Sequence, residues 1–400
     1  MFTRLPVLVI LATAVIDAMG FGLILPVMPD LIRDVTGGDL AQAAIWGGIL
    51  STVFAVMQFL CGPFLGSLSD RFGRRPVLLV SLAVMAADYV VMALAQTIWL
   101  LVLGRIIAGV TAATYATALA YMADISTPQE KARAFGVIGA GFGIGFVLGP
   151  VLGGVLAEFG TRAPFWAAAA LAGMNALLGL VVLKETVTDA TRRAFAWKRA
   201  NPLGSLAALG RLPAVGKLLI VFFLYQVATA VYPVIWPYFT VQRFGWSPGM
   251  IGLSLAAYGV GFAIVQGALI APTIRIFGNR RTVIIGLVIE LASFVFLGFV
   301  ASGTLLLAMV PVFAFGAVGL PALQGILSRR VPDDSQGELQ GLLSSLTSLA
   351  TILAPLVMTQ VFATFSGADA PIYLPGAPFL LSAALMGLAI IVFLPSRKPT

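Results

Sequence analysis

The feature that most limits this chain is the recurrence of long apolar runs. They fall near 5–28, 43–67, 77–96, 98–122, 134–158, 164–184, 214–240, 249–272, 282–301, 304–327, 337–362 and 377–395. At 1.5 Å per residue, a helix of about 20 apolar residues crosses the ~30 Å hydrocarbon core of a bilayer. The reading is therefore an all-α membrane protein with twelve transmembrane helices. Composition agrees, since 60% of residues are hydrophobic and 10% are charged, where soluble domains carry about 25% charged residues. With a mean hydropathy of +1.03, the chain would not stay dissolved as a compact domain.

The net charge of +8 would suit nucleic acid if it formed a patch, but it is distributed by topology. With a cytoplasmic N-terminus, every basic residue except Arg33, Arg105, Arg162 and Arg243 falls on the cytoplasmic side. That is the positive-inside bias of a multi-pass protein with both termini inside, and it argues against nucleic acid as a partner. The first run is too long for a signal peptide and lacks a small-residue cleavage site. Cys61 is the sole cysteine, so neither a disulfide nor a thiol metal site is expected. Histidine is absent, which removes the commonest proton shuttle. Proton chemistry inside the membrane is left to carboxylates.

One long polar stretch, Lys184 to Pro213, divides the helices six and six. The expected organisation is an N-terminal bundle over 1–184, a cytoplasmic linker over 185–213 with one short interfacial helix, and a C-terminal bundle over 214–400. About 30 residues are too few for a separate core. The halves read as a duplication. A shift of 205 residues maps Gly62 onto Gly267, Phe72 onto Phe277, Gly73 onto Gly278, Arg75 onto Arg280, Gly136 onto Gly341 and Pro150 onto Pro355. Glycine and proline answer to backbone geometry, so the scaffold is repeated. The same shift replaces Asp70 by Arg275, Asp88 by Ser293, Arg105 by Val310 and Asp124 by Arg329, which places the distinctive chemistry in the first half.

Three motifs stand out. "GSLSDRFGRR", Gly66 to Arg75, joins the second and third helices and resembles the signature loop of the major facilitator superfamily. Gly66 and Gly73 suit close approach and a sharp turn. Asp70 suits a helix cap or a pairing with a basic group, and Arg71, Arg74 and Arg75 supply the charge of a cytoplasmic gate. "LVLGRIIAG" sets Arg105 roughly 9 Å inside the outer end of the fourth helix, resembling the superfamily's second motif. "GAGFGIGFVLGPVLGG", Gly139 to Gly154, carries Gly141, Gly145, Gly149 and Gly153 at four-residue spacing, a stripe that admits a second helix. Pro150 is expected to bend this fifth helix, since its nitrogen cannot donate and its ring crowds the preceding turn. Gly145, Gly149, Pro150, Gly153 and Gly154 resemble the antiporter-type motif of the superfamily, which implies export with proton exchange.

Asp17, Asp88 and Glu290 lie well inside the first, third and ninth helices. Asp17 and Asp88 sit roughly 17 Å from the cytoplasmic ends. A central acid carries an insertion cost of about 2.5–3.5 kcal/mol, so three of them mark a functional site. Small or polar companions at helical spacing suit a water-filled cavity: Thr13 and Gly20, Ser81, Gly286 and Ser293. One of the three acids is a candidate partner for Arg105. Gln58 and Gln266 either line a cavity or bond between helices.

The stretches "IDAMGFGLILPVMP", "MQFLCGPFLGSLSDRFGRRPVLL", "GRIIAGVTAAT", "RFGW" and "GLPALQGILS" resemble the tetracycline/proton efflux antiporters of the major facilitator superfamily, and the similarity spans nearly all twelve helices. The resemblance implies the two-halved facilitator fold and alternating access. It implies exchange of a magnesium–tetracycline cation for protons at Asp17, Asp88 and Glu290. Gln58, Arg105, Asp124 and Gln266 also match positions that family uses. It further implies a bacterial inner-membrane protein acting as a monomer in the bilayer. By the same resemblance no enzymatic activity and no cofactor are expected, with magnesium travelling with the drug. Two positions depart from the family: Phe262 stands where it has a histidine, and Glu290 where it has an aspartate. A divergent multidrug or metabolite/proton antiporter is the alternative. An intramembrane protease fits poorly, because its G-x-G-D sequence is absent and the duplication is unexplained.

Overall fold

The computed structural model describes residues 5–112, 114–127, 129–189, 192, 215–368 and 370–394. Among them every regular element is helical. Helix α1 spans Leu5–Thr36 and takes a 3-10 turn at Leu25–Val27. Helices α2 (Leu40–Phe72), α3 (Arg74–Leu94), α5 (Lys131–Leu156) and α6 (Ala163–Val182) are uninterrupted, and α4 comprises Ile98–Thr111 and Thr114–Ile125. Beyond the linker, α7 comprises Gly216–Thr229 and Val231–Phe244. Helix α8 begins as Pro248–Ile264 and continues through a π-helical turn at Val265–Leu269. Helix α9 covers 279–299, α10 is Gly303–Phe313 and Gly319–Arg329, α11 is Gln336–Ser366 and α12 is Ala377–Phe393. The expected interfacial helix of the linker lies outside the described residues.

The helices extend past their apolar runs, and this corrects one expectation. The "GSLSDRFGRR" stretch is not a loop. It is helical on both sides of Gly73, which alone makes the turn at φ 114°, ψ 155°. Gly278, its duplicate, does the same between α8 and α9 at φ 74°, ψ 160°. Without that turn Pro248–Phe299 would be one helix of 52 residues, about 78 Å long and more than twice the hydrocarbon thickness. Residues with a Cβ are disfavoured at such φ values, so glycine ends each helix where the duplication repeats it.

The chain forms two compact units. The first contains Met1–Gly37, Val53–Pro202 and Ser247–Ala256; the second contains Gly38–Thr52, Leu203–Trp246 and Ala257–Thr400. The opening turns of α2 therefore belong with the second unit, and those of α8 with the first. Small residues account for both placements. Gly47 lies against the Tyr238 hydroxyl and Gly48 against Thr359, while Thr52 Oγ1 donates to the Ile352 carbonyl at 3.0 Å. In α8, Gly252 lies directly on the Pro150 carbonyl.

In the first unit the glycine stripe of α5 packs on α1. A methyl group at Gly145 would strike the Val15 carbonyl oxygen, one at Gly149 that of Met19, and one at Gly153 that of Leu23. Backbone meets backbone along three turns, the approach that small residues permit within a membrane. Below it, Val7, Ile10, Ala14, Leu78, Leu82 and Ile138 form an apolar core. In the second unit Gly286 of α9 meets Gly319 of α10 in the same manner. Exposed side chains such as Trp99, Leu177, Val181 and Ile391 suit lipid contact.

Gly145→Ala is expected to force α1 and α5 apart and destabilise the fold by about 1–3 kcal/mol, as overpacking does. Gly143→Ala, where a methyl group meets nothing within 4 Å, is expected to be tolerated. Thermal unfolding of the two variants in detergent checks the contrast.

Candidate functional site

The first unit brings three of the expected membrane residues onto adjoining helices. Asp88 on α3 is 5% exposed, and its Oδ2 accepts from Arg105 Nη2 on α4 in a close ion pair. The pair forms because residue 104 is glycine: a methyl group there would collide with Asp88 Oδ1. Arg105 is held further by Met92 Sδ at 2.7 Å and by the Phe54 ring, 5.7 Å from its guanidinium carbon. One charge neutralises the other, which removes most of the penalty of burying either. The compensation is incomplete, because Asp88 Oδ1 and Arg105 Nε are buried with no hydrogen-bond partner.

Asp17 is half-buried on α1 and forms no hydrogen bond or ion pair among the described residues. Its neighbours at helical spacing correct the sequence reading. Thr13 and Gly20 serve packing rather than a wet face. Thr13 is fully buried and accepts from Asn175 Nδ2 of α6 at 3.1 Å, while Gly20 receives the Tyr89 hydroxyl of α3. Tyr89 follows Asp88 directly, so Gly20 and Gly104 seat two successive side chains of α3 against α1 and α4. Ser81, Gly286 and Ser293 are buried likewise.

In the second unit Glu290 on α9 is 1% exposed. Tyr232 of α7 donates to its Oε2 at 3.1 Å, and the Tyr225 hydroxyl approaches the same carboxyl. No cation pairs with it among the described residues. The side chain fits because Gly316 of α10 leaves room; a methyl group there would sit about 2.6 Å from Glu290 Cγ. Aromatic rings enclose it. Tyr232 lies 5.2 Å from Phe294 and 5.8 Å from Tyr258, which in turn stacks on Phe262 at 6.2 Å and 22°.

The α2–α3 corner gathers a further group of charges in the first unit. Arg74 Nη1 pairs with Asp70 at 2.6 Å, and its Nε with Asp124 of α4 at 3.3 Å. Thr186 also donates to Asp124, at 2.9 Å. Asp70 does not cap the helix. Glu185 does so, accepting from the backbone N–H groups of Arg74 (2.9 Å) and Arg75 (3.2 Å) at the start of α3. It also accepts from the N–H groups of Thr186 and Val187, both at 2.9 Å. Negative charge at a helix N-terminus satisfies orphan donors and opposes the dipole. Gly73 is needed twice here, for its φ and because a Cβ would occupy the place of Glu185 Oε2. Arg75 Nη2 donates to the Leu180 carbonyl at 2.7 Å. Arg71 is exposed and lies over the Phe72 ring. A methyl group at Gly66 would meet nothing within 4 Å among the described residues, so the close approach expected there is not seen among them.

Gln58 and Gln266 are exposed, and neither bonds between helices among the described residues. Gln266 lies in the π-helical turn of α8. Sequence reasoning passed over Glu185, Tyr89, Tyr225, Tyr232 and Asn175. Glu185 sits in the polar linker stretch, where a carboxylate carries no signal. The tyrosines and Asn175 interrupt apolar runs as lone amphipathic groups, and that was the available clue.

Arg105→Ala is expected to destabilise the protein by about 3–5 kcal/mol, because Asp88 is left charged and unpaired in a buried site. The double variant Asp88→Asn, Arg105→Met is expected to lose much less. Comparing melting temperatures of the single and double variants in detergent decides it.

The comparisons with known proteins agree with this architecture. A family model described as Major Facilitator Superfamily matches residues 10–227 and 218–400. The tetracycline resistance protein, class C, of Escherichia coli is 42% identical over 356 residues, 89% of each chain. The class D tetracycline resistance protein of Salmonella ordonez is 35% identical over 395 residues, 98% of each chain. The crystal structure of the human organic anion transporter MFSD10 superposes with a TM-score of 0.71 at 26% identity, covering 97% of this chain and 99% of that one. The chain belongs to the major facilitator superfamily, in the family of the tetracycline resistance proteins.

Proposed function

We propose that this chain is a proton-coupled antiporter of a bacterial inner membrane that exports a drug by alternating access, with tetracycline carried as its magnesium complex. It is read as a transporter and not an enzyme. The observation that carries the reading is the unequal compensation of its three membrane acids. Asp88 is paired with Arg105, yet one of its oxygens is unpartnered. Among the described residues, Glu290 has tyrosine donors and no cation, and Asp17 has no hydrogen-bonding or ionic partner.

An ionised carboxylate cut off from both water and cations is costly to bury, so a proton and a substrate cation compete for such a group. That competition is antiport. A cation arriving from the cytoplasm displaces protons, and protons arriving from outside displace the cation. The tetracycline named in the relatives becomes the cargo of this chain by that route. Its magnesium counts as cargo, not as a resident metal. Orientation follows the basic loops, with both termini inside.

A specific observation favours a second reading. Phe262 and Tyr258 extend the aromatic wall around Glu290, and a carboxylate among aromatic faces suits a lipophilic organic cation. On that reading the chain exchanges protons for such cations without magnesium.

Everted vesicles carrying the chain and acidified inside separate the readings. Tetracycline with magnesium is expected to drive proton efflux from the lumen. Asp17→Asn and Glu290→Gln are each expected to abolish that response while the protein remains in the membrane at its usual level. If either variant pumps at the wild-type rate, its carboxylate has no part in coupling. A response to lipophilic cations alone selects the second reading.

A further inference from the structure

Helix α7 breaks at Ala230, between Gly216–Thr229 and Val231–Phe244, and its two faces do different things there. Tyr225 and Tyr232 turn to Glu290. The other face, with Gln226, Thr229, Ala230, Pro233 and Val234, lines a cavity of about 290 Å³ that Thr351 and Pro355 of α11 complete. Every one of these residues lies in the second unit.

The polar atoms offered to this cavity are nearly all acceptors. Thr229 spends its hydroxyl proton on the Tyr225 carbonyl at 2.9 Å, and Thr351 spends its own on the Thr347 carbonyl at 2.9 Å. Each leaves oxygen lone pairs and no donor. Gln226 directs one Nε2 hydrogen to Thr347 Oγ1 at 2.9 Å, which leaves its carbonyl oxygen as an acceptor beside a single remaining N–H. The two prolines add to the set. A proline nitrogen carries no hydrogen, so Pro233 denies the Thr229 carbonyl its i+4 donor, and Pro355 denies it to the Thr351 carbonyl. Both threonines line the cavity. Carbonyls freed by proline within a helix, beside side-chain oxygens, offer a cation the kind of solvation that unwound helix segments give in membrane transporters, without burying a charge. The volume holds roughly ten waters at about 30 Å³ each, enough for one end of a drug-sized molecule.

We propose that this cavity is an uncharged, oxygen-lined subsite for a cationic N–H or O–H donor of the transported molecule, with Gln226, Thr229 and Thr351 as specificity-determining residues. An ammonium group and the water ligands of a bound divalent ion share that chemistry. The inference rests on the export reading for the identity of the cargo; the subsite chemistry rests on the oxygens alone.

The test replaces the oxygens without changing shape. In everted vesicles, Thr351→Val, Thr229→Val and Gln226→Leu are each expected to raise KM for magnesium–tetracycline about tenfold, the effect of losing one charge-assisted hydrogen bond of about 1.4 kcal/mol, with a smaller change in Vmax. Thr351→Ser is expected to restore the wild-type KM. Gln226→Glu, which adds a charge, is expected to lower it, so a fold defect in one variant leaves another readout. Wild-type vesicles that show no proton movement with magnesium–tetracycline defeat the reading of that complex as cargo. The subsite is then judged on the purified full chain by thermal shift. Benzylammonium is expected to stabilise wild type but not Thr351→Val, and benzyltrimethylammonium, which has no N–H, is expected to stabilise neither. A KM for magnesium–tetracycline unchanged across all the variants, or equal stabilisation of wild type and Thr351→Val by benzylammonium, overturns the proposal.

Discussion

The structure depends on the cost of placing charge and polar backbone where water cannot follow. A bilayer offers no hydrogen bonds, so a charged side chain enclosed within it has to be answered by protein, whereas half-buried Asp17 has no such partner among the described residues. Arg105 answers Asp88, and the tyrosines of α7 answer Glu290. Each answer needs helices closer than ordinary side chains allow. Hence Gly104 lies beneath Asp88, Gly20 beneath Tyr89 and Gly316 beneath Glu290. The glycine stripe of α5, pressed onto the α1 backbone, applies the same rule to the helix that carries Asp17. Close packing and buried chemistry are one design here, since the glycines that admit the helices also make room for the acids.

The two halves show how a duplicated scaffold takes on different chemistry. Gly73 and Gly278 make the same turn, and Arg75 and Arg280 each donate to a carbonyl near the end of a half's last helix, Leu180 and Leu394. One residue away the polarity changes. In the first half Arg74 joins Asp70 and Asp124. In the second, with its amide oxygen turned to Arg329, Asn279 accepts both guanidinium N–H groups at 3.1 and 2.5 Å. The contact between corresponding helices persists while donor and acceptor exchange sides. Backbone geometry tolerates few substitutes at a positive φ, whereas a polar contact needs only complementary partners.

Much of the candidate site was legible because a charge in an apolar run has few neutral explanations. Asp17, Asp88, Arg105 and Glu290 could be picked out on that ground, and the major facilitator fold followed from twelve apolar runs and an unbroken offset of 205 residues. Other parts were illegible for equally physical reasons. Thr13 and Gly20 look the same on a wet face as on a packed one, and the structure packs them. Glu185 lies 112 residues from Gly73, and nothing local announces that it caps α3. Pro233 and Pro355 are two prolines among many in apolar runs. That both free a threonine carbonyl beside one cavity emerges only when α7 and α11 are side by side.

The sequence by itself determined the number of crossings, their break into two repeated sets and the identity of the charges left inside the membrane. Those follow from hydropathy and one-dimensional periodicity, which packing does not alter. Tertiary structure decided which charge is paired, which carboxylate is enclosed by tyrosines and which oxygens face a cavity. Such choices turn on distances of a few ångströms between helices far apart along the chain, and at that range a single methyl group separates contact from collision.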